Sequence, residues 1–235
     1  ITAASPAGVA RGLQSLRELL PLRPTSAAAP SPVDLPALVI RDAPRFAYRG
    51  LMMDVARNFQ PKAVVLRTLD LMARYKLNAL HLHLTDDEGW RLQIAALPEL
   101  TQVGARRGHT VDGLDHLPPA YGSGPDVADA HGSGHYSRAD YIAILRHAAA
   151  LHIDVIPEIE MPGHARAAVK AMESRSARLA LAGRPDAQRF RLNDPNDRSV
   201  YRSPQLYRDH LMDPGLPSTY AFIDTVVREL AAMHR

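Results

Sequence analysis

Hydrophobic residues recur along the chain in two alternating patterns, one of helical period and one of short apolar runs. Residues 8–20 place Leu13 and Leu16 on one helical face, which predicts a first helix. A stretch rich in proline and small residues follows at 21–36 and is typical of a linker. Residues 38–40 form a short candidate strand.

From about residue 46 onward, apolar runs and amphipathic segments alternate regularly. The apolar runs predict three strands, at residues 50–56, 78–84 and 153–159. The amphipathic segments predict three helices: one opened by Pro61, one at 137–151 and one running to residue 235. Ser137 is expected to cap the second of these helices, with Asp140 completing a capping box. Ser218 or Thr219 is expected to cap the third.

The strands are apolar on both faces and alternate with helices, so we expect an α/β fold with a parallel sheet. Long polar stretches at 104–134 and 181–217 follow strands, where barrel enzymes carry substrate-binding loops. A closed (β/α)8 TIM barrel needs eight strand–helix units, and this chain supplies three. The sequence therefore predicts an incomplete TIM barrel that belongs to a larger domain.

Composition narrows the classes of function. Of 235 residues, 46% are hydrophobic and 23% are charged, which is typical of a globular domain. The 28 basic and 25 acidic residues are interspersed, so no nucleic-acid partner is expected. No apolar stretch approaches the roughly 18 residues that span a bilayer, and no signal peptide is visible. The absence of cysteine excludes disulfides, thiolate metal sites and cysteine nucleophiles.

The candidate chemistry lies at two acidic strand ends. Asp86 and Asp87 directly follow the second strand, while Glu158, Glu160 and His164 lie at the end of the third. Carboxylates at the C-terminal ends of parallel strands are how barrel enzymes build active sites. We therefore favour a functional role for the adjacent acids over a capping role. We also favour one for His164, which a carboxylate can orient, whereas Glu160 remains open between function and structure.

His81 and His83 share one face of the second strand and allow two interpretations. A His-x-His pair on a barrel strand is typical of metal-dependent hydrolases, in which both side chains bind the metal. These histidines, however, precede the strand end and lie deeper than a site at the barrel mouth. We favour buried, hydrogen-bonded histidines and expect no metal site.

Two further side chains lie near the strand ends. Arg57, just beyond the first strand, presents a fork of donors that can hold sugar hydroxyls or a carboxylate. The alternative is a salt bridge from Arg57 to Asp54 or Asp86. For Trp90, the single tryptophan, we favour packing over a role as a sugar platform.

Three segments together resemble the β-N-acetylhexosaminidases of glycoside hydrolase family 20. Residues 48–59 (YRGLMMDVARNF) resemble the opening of that family's catalytic barrel, residues 81–90 (HLHLTDDEGW) its second strand and residues 157–164 (PEIEMPGH) its third. Residues 7–20 resemble the last helix of the small α+β domain that precedes the barrel in many members. The resemblance implies a remnant of that domain with its linker at 1–36 and the N-terminal part of the barrel at 37–235.

The resemblance also implies an activity, the hydrolysis of terminal β-linked N-acetylglucosamine or N-acetylgalactosamine from an oligosaccharide. In this family the substrate's own acetamide oxygen attacks the anomeric carbon, so the configuration is retained. One Asp orients the acetamide, and a neighbouring Glu protonates the leaving oxygen. No cofactor and no membrane partner are implied, and a periplasmic or secreted location fits the family.

Carried over residue by residue, the resemblance assigns supporting roles. Arg57 would bind hydroxyls of the terminal sugar, and Glu160 is counted with it among the substrate-binding candidates. Asp86 would bond His164, and His164 would support the general-acid Glu. These two residues are the catalytic candidates of this chain.

One departure from the family pattern is decisive. The catalytic Asp-Glu pair of the family lies in a His-x-Gly-Gly-Asp-Glu motif, and no such motif occurs here. The chain is therefore expected to be a truncated part of a hexosaminidase and to be inactive alone. Two alternatives are a metal-dependent barrel hydrolase that uses His81 and His83, and a non-catalytic carbohydrate-binding remnant.

Overall fold

A computed structural model describes residues 1–20, 33–128 and 131–234. Its elements in chain order are α1 (Pro6–Glu18), β1 (Gly50–Asp54), α2 (Lys62–Arg74), β2 (Ala79–His83), β3 (Thr85–Asp86), β4 (Gly89–Trp90), α3 (Glu99–Gln102), α4 (Arg138–Ala150), β5 (Asp154–Glu158), α5 (Arg166–Leu181) and α6 (Pro217–Met233). Most of the predicted linker lies outside the described residues, and residues 33–36 have no regular structure. None of the helices described is both long and apolar enough to cross a bilayer.

β1, β2 and β5 form a parallel sheet with β2 in the centre, which confirms the predicted α/β fold. The register pairs Asp54 with His83 and His83 with Glu158, so the last residues of the three strands lie side by side. Side chains in register on neighbouring parallel strands point to the same face. The sheet therefore gathers three titratable groups at its carboxyl edge.

The two faces of the sheet differ in burial. Leu80 and Leu82 are completely buried in the apolar core, together with residues of α2 and α4. On the opposite face, Met52 and Ile156 are 54% and 42% exposed. The alternation of side chains along β2 places His81 and His83 on this second face, away from the helices.

Helix starts follow the local chemistry that the sequence indicates, with one exception. Ser137 caps α4, and Asp140 returns its carboxylate to the Ser137 backbone in a complete capping box, as predicted. The prediction for α6 is wrong, because its N-cap is Leu216 and Pro217 occupies the first turn. The hydroxyls of Ser218 and Thr219 instead donate to backbone carbonyls of the preceding segment.

Two other elements differ from expectation. Residues 38–40 are not a strand, since Val39 is 86% exposed and no neighbouring strand offers it hydrogen bonds in the part of the chain described. The long helix α5 was not predicted. Half of its buried positions are alanine, so its apolar face is weak in sequence although its helix propensity is high.

Arg11 is the main side chain that attaches helix α1 to the segments leading into the sheet. The Arg11 guanidinium donates to the carbonyls of Leu77, Leu151 and His152 at 3.2, 3.2 and 2.9 Å. These carbonyls immediately precede β2 and β5, so Arg11 joins α1 to the amino edge of the sheet. Lys76 adds a hydrogen bond to Ser15 of the same helix.

We expect Arg11→Gln to loosen α1 without unfolding the sheet. The variant loses charge-assisted hydrogen bonds to three carbonyls, and we expect a loss of about 2 kcal/mol in the free energy that holds the helix. Hydrogen exchange should accelerate within Pro6–Glu18 and stay unchanged in β2. Arg17→Gln is the matched control, because Arg17 lies on the same helix and is exposed. Equal exchange in both variants would contradict the attachment.

Candidate active site

The candidate site is built at the carboxyl edge of the sheet, around a tight hairpin that the sequence did not reveal. After β2 the chain makes a short β3, turns through Asp87 and Glu88, and returns as β4. Gly89 is required at this turn, because a Cβ there would lie 2.6 Å from the Ala56 carbonyl oxygen. The hairpin directs three consecutive acids, Asp86, Asp87 and Glu88, into buried positions.

Asp86 is 2% exposed and is surrounded by donors. Its Oδ2 lies 2.7 Å from Arg57 Nη2 and 2.8 Å from His83 Nε2. Its Oδ1 accepts the Asp87 N–H at 2.7 Å and lies 3.3 Å from His164 Nδ1. Burial acts to raise the pKa of Asp86, but His83, the Asp87 N–H and Arg57 outweigh it and hold the pKa below its usual range. Asp86 is therefore an anion fixed on both oxygens.

Asp87 is completely buried and has a different environment. Its Oδ1 accepts the backbone N–H of Arg166 at 3.1 Å, which caps α5 where Ala165 has no side chain to do so. Its Oδ2 makes no hydrogen bond within the described residues and lies 3.4 Å from His164 Nδ1. Burial raises the pKa of Asp87, and the charge of Asp86 adds to that effect.

His164 lies between these two carboxyls on a constrained turn. Its backbone has φ +50°, in the left-handed region, directly after Gly163. The N–H of Ala165 donates to the His210 carbonyl, and the N–H of Met212 donates to the Pro162 carbonyl, so the turn is held on both sides. The imidazole is 39% exposed. Its Nδ1 lies 3.3 Å from Asp86 Oδ1 and 3.4 Å from Asp87 Oδ2, but the angles do not allow a hydrogen bond to either oxygen. The expected pairing of Asp86 with His164 is thus present as a close approach.

Arg57 makes both of the salt bridges that the sequence left as alternatives. Its Nη1 lies 2.7 Å from Asp54 Oδ2 while its Nη2 contacts Asp86, and its Nε lies 3.7 Å from Glu88 Oε2. The side chain remains 25% exposed. The carboxylates therefore hold the Arg57 guanidinium in one orientation, while part of the side chain remains exposed to solvent.

A second arginine, buried beneath this group, was missed by sequence reasoning. Arg91 is completely buried and faces backbone oxygens instead of a carboxylate. Its guanidinium donates to the carbonyls of Val55, Ala56, Ala105, Gly132 and Gly134. Burial, with repulsion from Arg107, lowers the pKa of Arg91 to about 9. The Arg107 guanidinium in turn donates to the Arg57 carbonyl at 2.7 Å, so two buried arginines support the backbone of Arg57.

His83 joins the two acidic strand ends. While Nε2 faces Asp86, its Nδ1 lies 2.8 Å from Glu158 Oε2. Burial acts against the charge, but Asp86 and Glu158 raise the pKa of His83 to about 9. A metal at His83 would therefore have to displace a proton, although His83, Glu158 and Glu160 offer ligand atoms within 4.8 Å of one another, as do Asp86, Asp87 and His164. His81 Nε2 is likewise engaged, 2.6 Å from Glu158.

Glu160 and Trp90 are the two remaining residues that the sequence singled out. The Glu160 N–H donates to the Thr85 hydroxyl, and burial together with a hydrogen bond to Glu158 raises the pKa of its carboxyl. Trp90 is 1% exposed, donates its indole N–H to the Leu92 carbonyl and packs edge-on against Phe222. Its burial agrees with the packing interpretation. The structure thus brings Arg57, Asp86 and His164 together, with Glu160 beside Glu158.

Comparison with known proteins places this geometry in a family. The pattern described as glycosyl hydrolase family 20, catalytic domain, matches residues 46–235. The chain is 54% identical over 203 residues to the N,N'-diacetylchitobiase of Vibrio harveyi, covering 86% of this chain and 23% of the relative. It is 47% identical over 223 residues to the β-hexosaminidase B of Pseudoalteromonas piscicida, covering 94% and 28%. The chain thus spans about a quarter of the length of these relatives.

Solved structures agree with that match. A family 20 exo-β-N-acetylglucosaminidase from Vibrio harveyi, in complex with N-acetylglucosamine, superimposes with a TM-score of 0.79 at 34% identity, over 98% of this chain and 32% of that chain. A mutant of Streptomyces plicatus β-hexosaminidase in complex with its product GlcNAc gives a TM-score of 0.69 at 36% identity, over 99% and 40%. These neighbours are TIM-barrel enzymes, so the three parallel strands are part of such a barrel.

The buried carboxyl of Glu88 should make the free energy of unfolding depend on pH. Burial, followed by the charge of Asp86, raises the pKa of Glu88 from 4.5 to about 7. The protonated carboxyl therefore contributes stability that is complete below pH 4.5 and is lost as the pH rises through about 7. We expect Glu88→Gln, which cannot ionise, to gain about 2 kcal/mol relative to the wild type between pH 5 and pH 8.

Urea unfolding at several pH values in this range measures the difference. Glu18→Gln, which removes an exposed acid on α1, is the control and should follow the wild type at each pH. A difference between Glu88→Gln and the wild type that does not change with pH would contradict the proposed titration.

Proposed function

Because the chain belongs to glycosyl hydrolase family 20, we propose that it forms part of the active site of an exo-acting β-N-acetylhexosaminidase. The enzyme removes terminal β-linked N-acetylhexosamine from oligosaccharides with retention of configuration. The observation that carries the proposal is Asp86, which contacts Arg57 through one oxygen and approaches His164 with the other.

Each of these residues has a role that its environment supports. Arg57 is held by Asp54 and Asp86 and is still partly exposed, so its remaining donors can bind hydroxyls of the terminal sugar. Asp86 stays ionised and orients His164. His164, which is 39% exposed, can contact the general-acid Glu that the family supplies on a further strand. Glu160 lies beside this group as a second candidate for sugar contacts.

The reaction that we propose needs no cofactor from this chain. The substrate acetamide is the nucleophile, and the protein contributes proton transfer and orientation. His83 directs both ring nitrogens toward carboxylates and the family match favours the hexosaminidase, so the metal-dependent hydrolase is the weaker candidate.

The boundary between two domains is also a proposal. Residues 1–36 would belong to a domain that precedes the barrel, and residues 37–235 to the barrel itself. Two observations support this division: the family match begins at residue 46, and α1 is joined by Arg11 to the amino edge of the sheet.

A fusion protein tests the proposed activity. The matched segment of this chain replaces the corresponding segment of the Vibrio harveyi chitobiase, with which it is 54% identical. We expect the fusion to release nitrophenol from nitrophenyl N-acetyl-β-glucosaminide. The 235-residue chain alone should release none, because loss of the general acid by itself costs about 10²–10⁴ in rate. A fusion that folds, judged by circular dichroism, and has no activity would overturn the proposal, as would turnover by the chain alone.

The role of Arg57 is tested in the same fusion. Arg57→Lys keeps the charge but loses the planar fork that contacts two carboxylates and the sugar together. We expect kcat/KM to fall about 10²-fold, the equivalent of one or two charge-assisted hydrogen bonds. Arg106→Lys is the matched control, because Arg106 is exposed and its side chain has no hydrogen bond to the described residues. If both variants retained full kcat/KM, Arg57 would not contact the substrate.

A further inference from the structure

His83 is a buried titratable group to which the proposed mechanism gives no role. It is 5% exposed, ends β2 and uses both ring nitrogens, Nε2 toward Asp86 and Nδ1 toward Glu158. A histidine that only filled space would need one hydrogen-bond partner at most. Here the ring connects the carboxyl ends of β2 and β5 to the hairpin that carries Asp86.

The charges around His83 come from every element packed against it. Asp54 of β1 and Glu158 of β5 lie beside it in the sheet register, and Asp86 contacts it from β3. A carboxylate oxygen of Glu160 lies within 4.8 Å of a His83 ring nitrogen and of a Glu158 carboxylate oxygen. His81 also contacts the Glu158 carboxylate. Arg57 is the opposing cation, two contacts away through Asp86. Carboxylates therefore dominate, and they favour a charged ring.

We propose that His83 is a positioning residue: an imidazolium between Glu158 and Asp86 that fixes the Asp86 carboxylate toward Arg57 and His164. This inference rests on the proposed function, in which Arg57 and His164 act on the substrate and its acid. Asp86 Oδ2 has two cationic neighbours, Arg57, which follows β1, and His83, which ends β2. Without His83, the carboxylate is free to turn toward Arg57 and away from His164.

Two substitutions separate the two contacts of the ring. The amide nitrogen of Asn occupies about the place of Nδ1, so His83→Asn keeps the donor toward Glu158 and loses the one toward Asp86. The amide nitrogen of Gln occupies about the place of Nε2, so His83→Gln keeps the donor toward Asp86. His81→Gln is the matched control, since His81 lies on the same face of β2 and contacts Glu158 without touching Asp86.

Nuclear magnetic resonance of the histidine ring nitrogens in the 235-residue chain provides the readout. At pH 8 the wild type should show His83 with both nitrogens protonated. The neutral form of His164 should carry its proton on Nδ1, toward Asp86. His83→Asn should lose this single tautomer, whereas His83→Gln and His81→Gln should retain it. A purely structural role would change stability without changing the tautomer of His164.

Several results would overturn the inference. One is a neutral His83 in the wild type at pH 8, a measurement that needs no variant to fold. Another is a neutral His164 with its proton on Nε2, because Nδ1 would then be an acceptor, facing a protonated Asp87, and could not donate to Asp86. A third is an unchanged His164 tautomer in folded His83→Asn. Because none of these readouts requires turnover, they are independent of the fusion assay that tests the proposed function.

Discussion

The site depends on the burial of one ionised carboxylate, Asp86. A charge removed from water is tolerated only when donors replace its hydration. Arg57, His83 and the Asp87 N–H supply those donors, and His164 stands close to the second oxygen. Each donor comes from a different segment of the chain. Because the Asp86 carboxylate needs all of them, it draws together the residues at the ends of β1, β2 and β5.

The three consecutive acids of the hairpin show how partners, not residue type, decide protonation. Asp86 has two cations at Oδ2 and a backbone donor at Oδ1, and its pKa is lowered. Asp87 has one backbone donor and a second oxygen with no hydrogen bond among the residues described, and burial raises its pKa. Glu88 is opposite Arg57 at 3.7 Å, too far for a hydrogen bond, and its pKa rises to about 7. Separate pKa values for adjacent carboxyls are what an acid–base site requires.

The sequence could predict those features that depend on local pattern. Apolar runs located the three strands, Ser137 with Asp140 located the start of α4, and motifs located Arg57 and Asp86. It could not locate the hairpin at Asp87, because Asp87-Glu88 is not one of the glycine-containing pairs typical of two-residue hairpin turns. It also missed Arg91, whose role exists only after five distant carbonyls converge on it. Residues 38–40 show the opposite error, in which an apolar run has no partner strand to pair with.

Glu88 raises the question of whether this chain already contains a general acid. With a pKa of about 7 it would hold a proton near neutrality, which is the property that such an acid needs. Its position argues against that role, because it is 3% exposed and lies beneath Arg57, whereas an acid must reach the glycosidic oxygen within hydrogen-bond distance. A suitable pKa without access cannot protonate a leaving group. Arg57 and His164 are more accessible than Glu88, and the proposed function gives them binding and supporting roles.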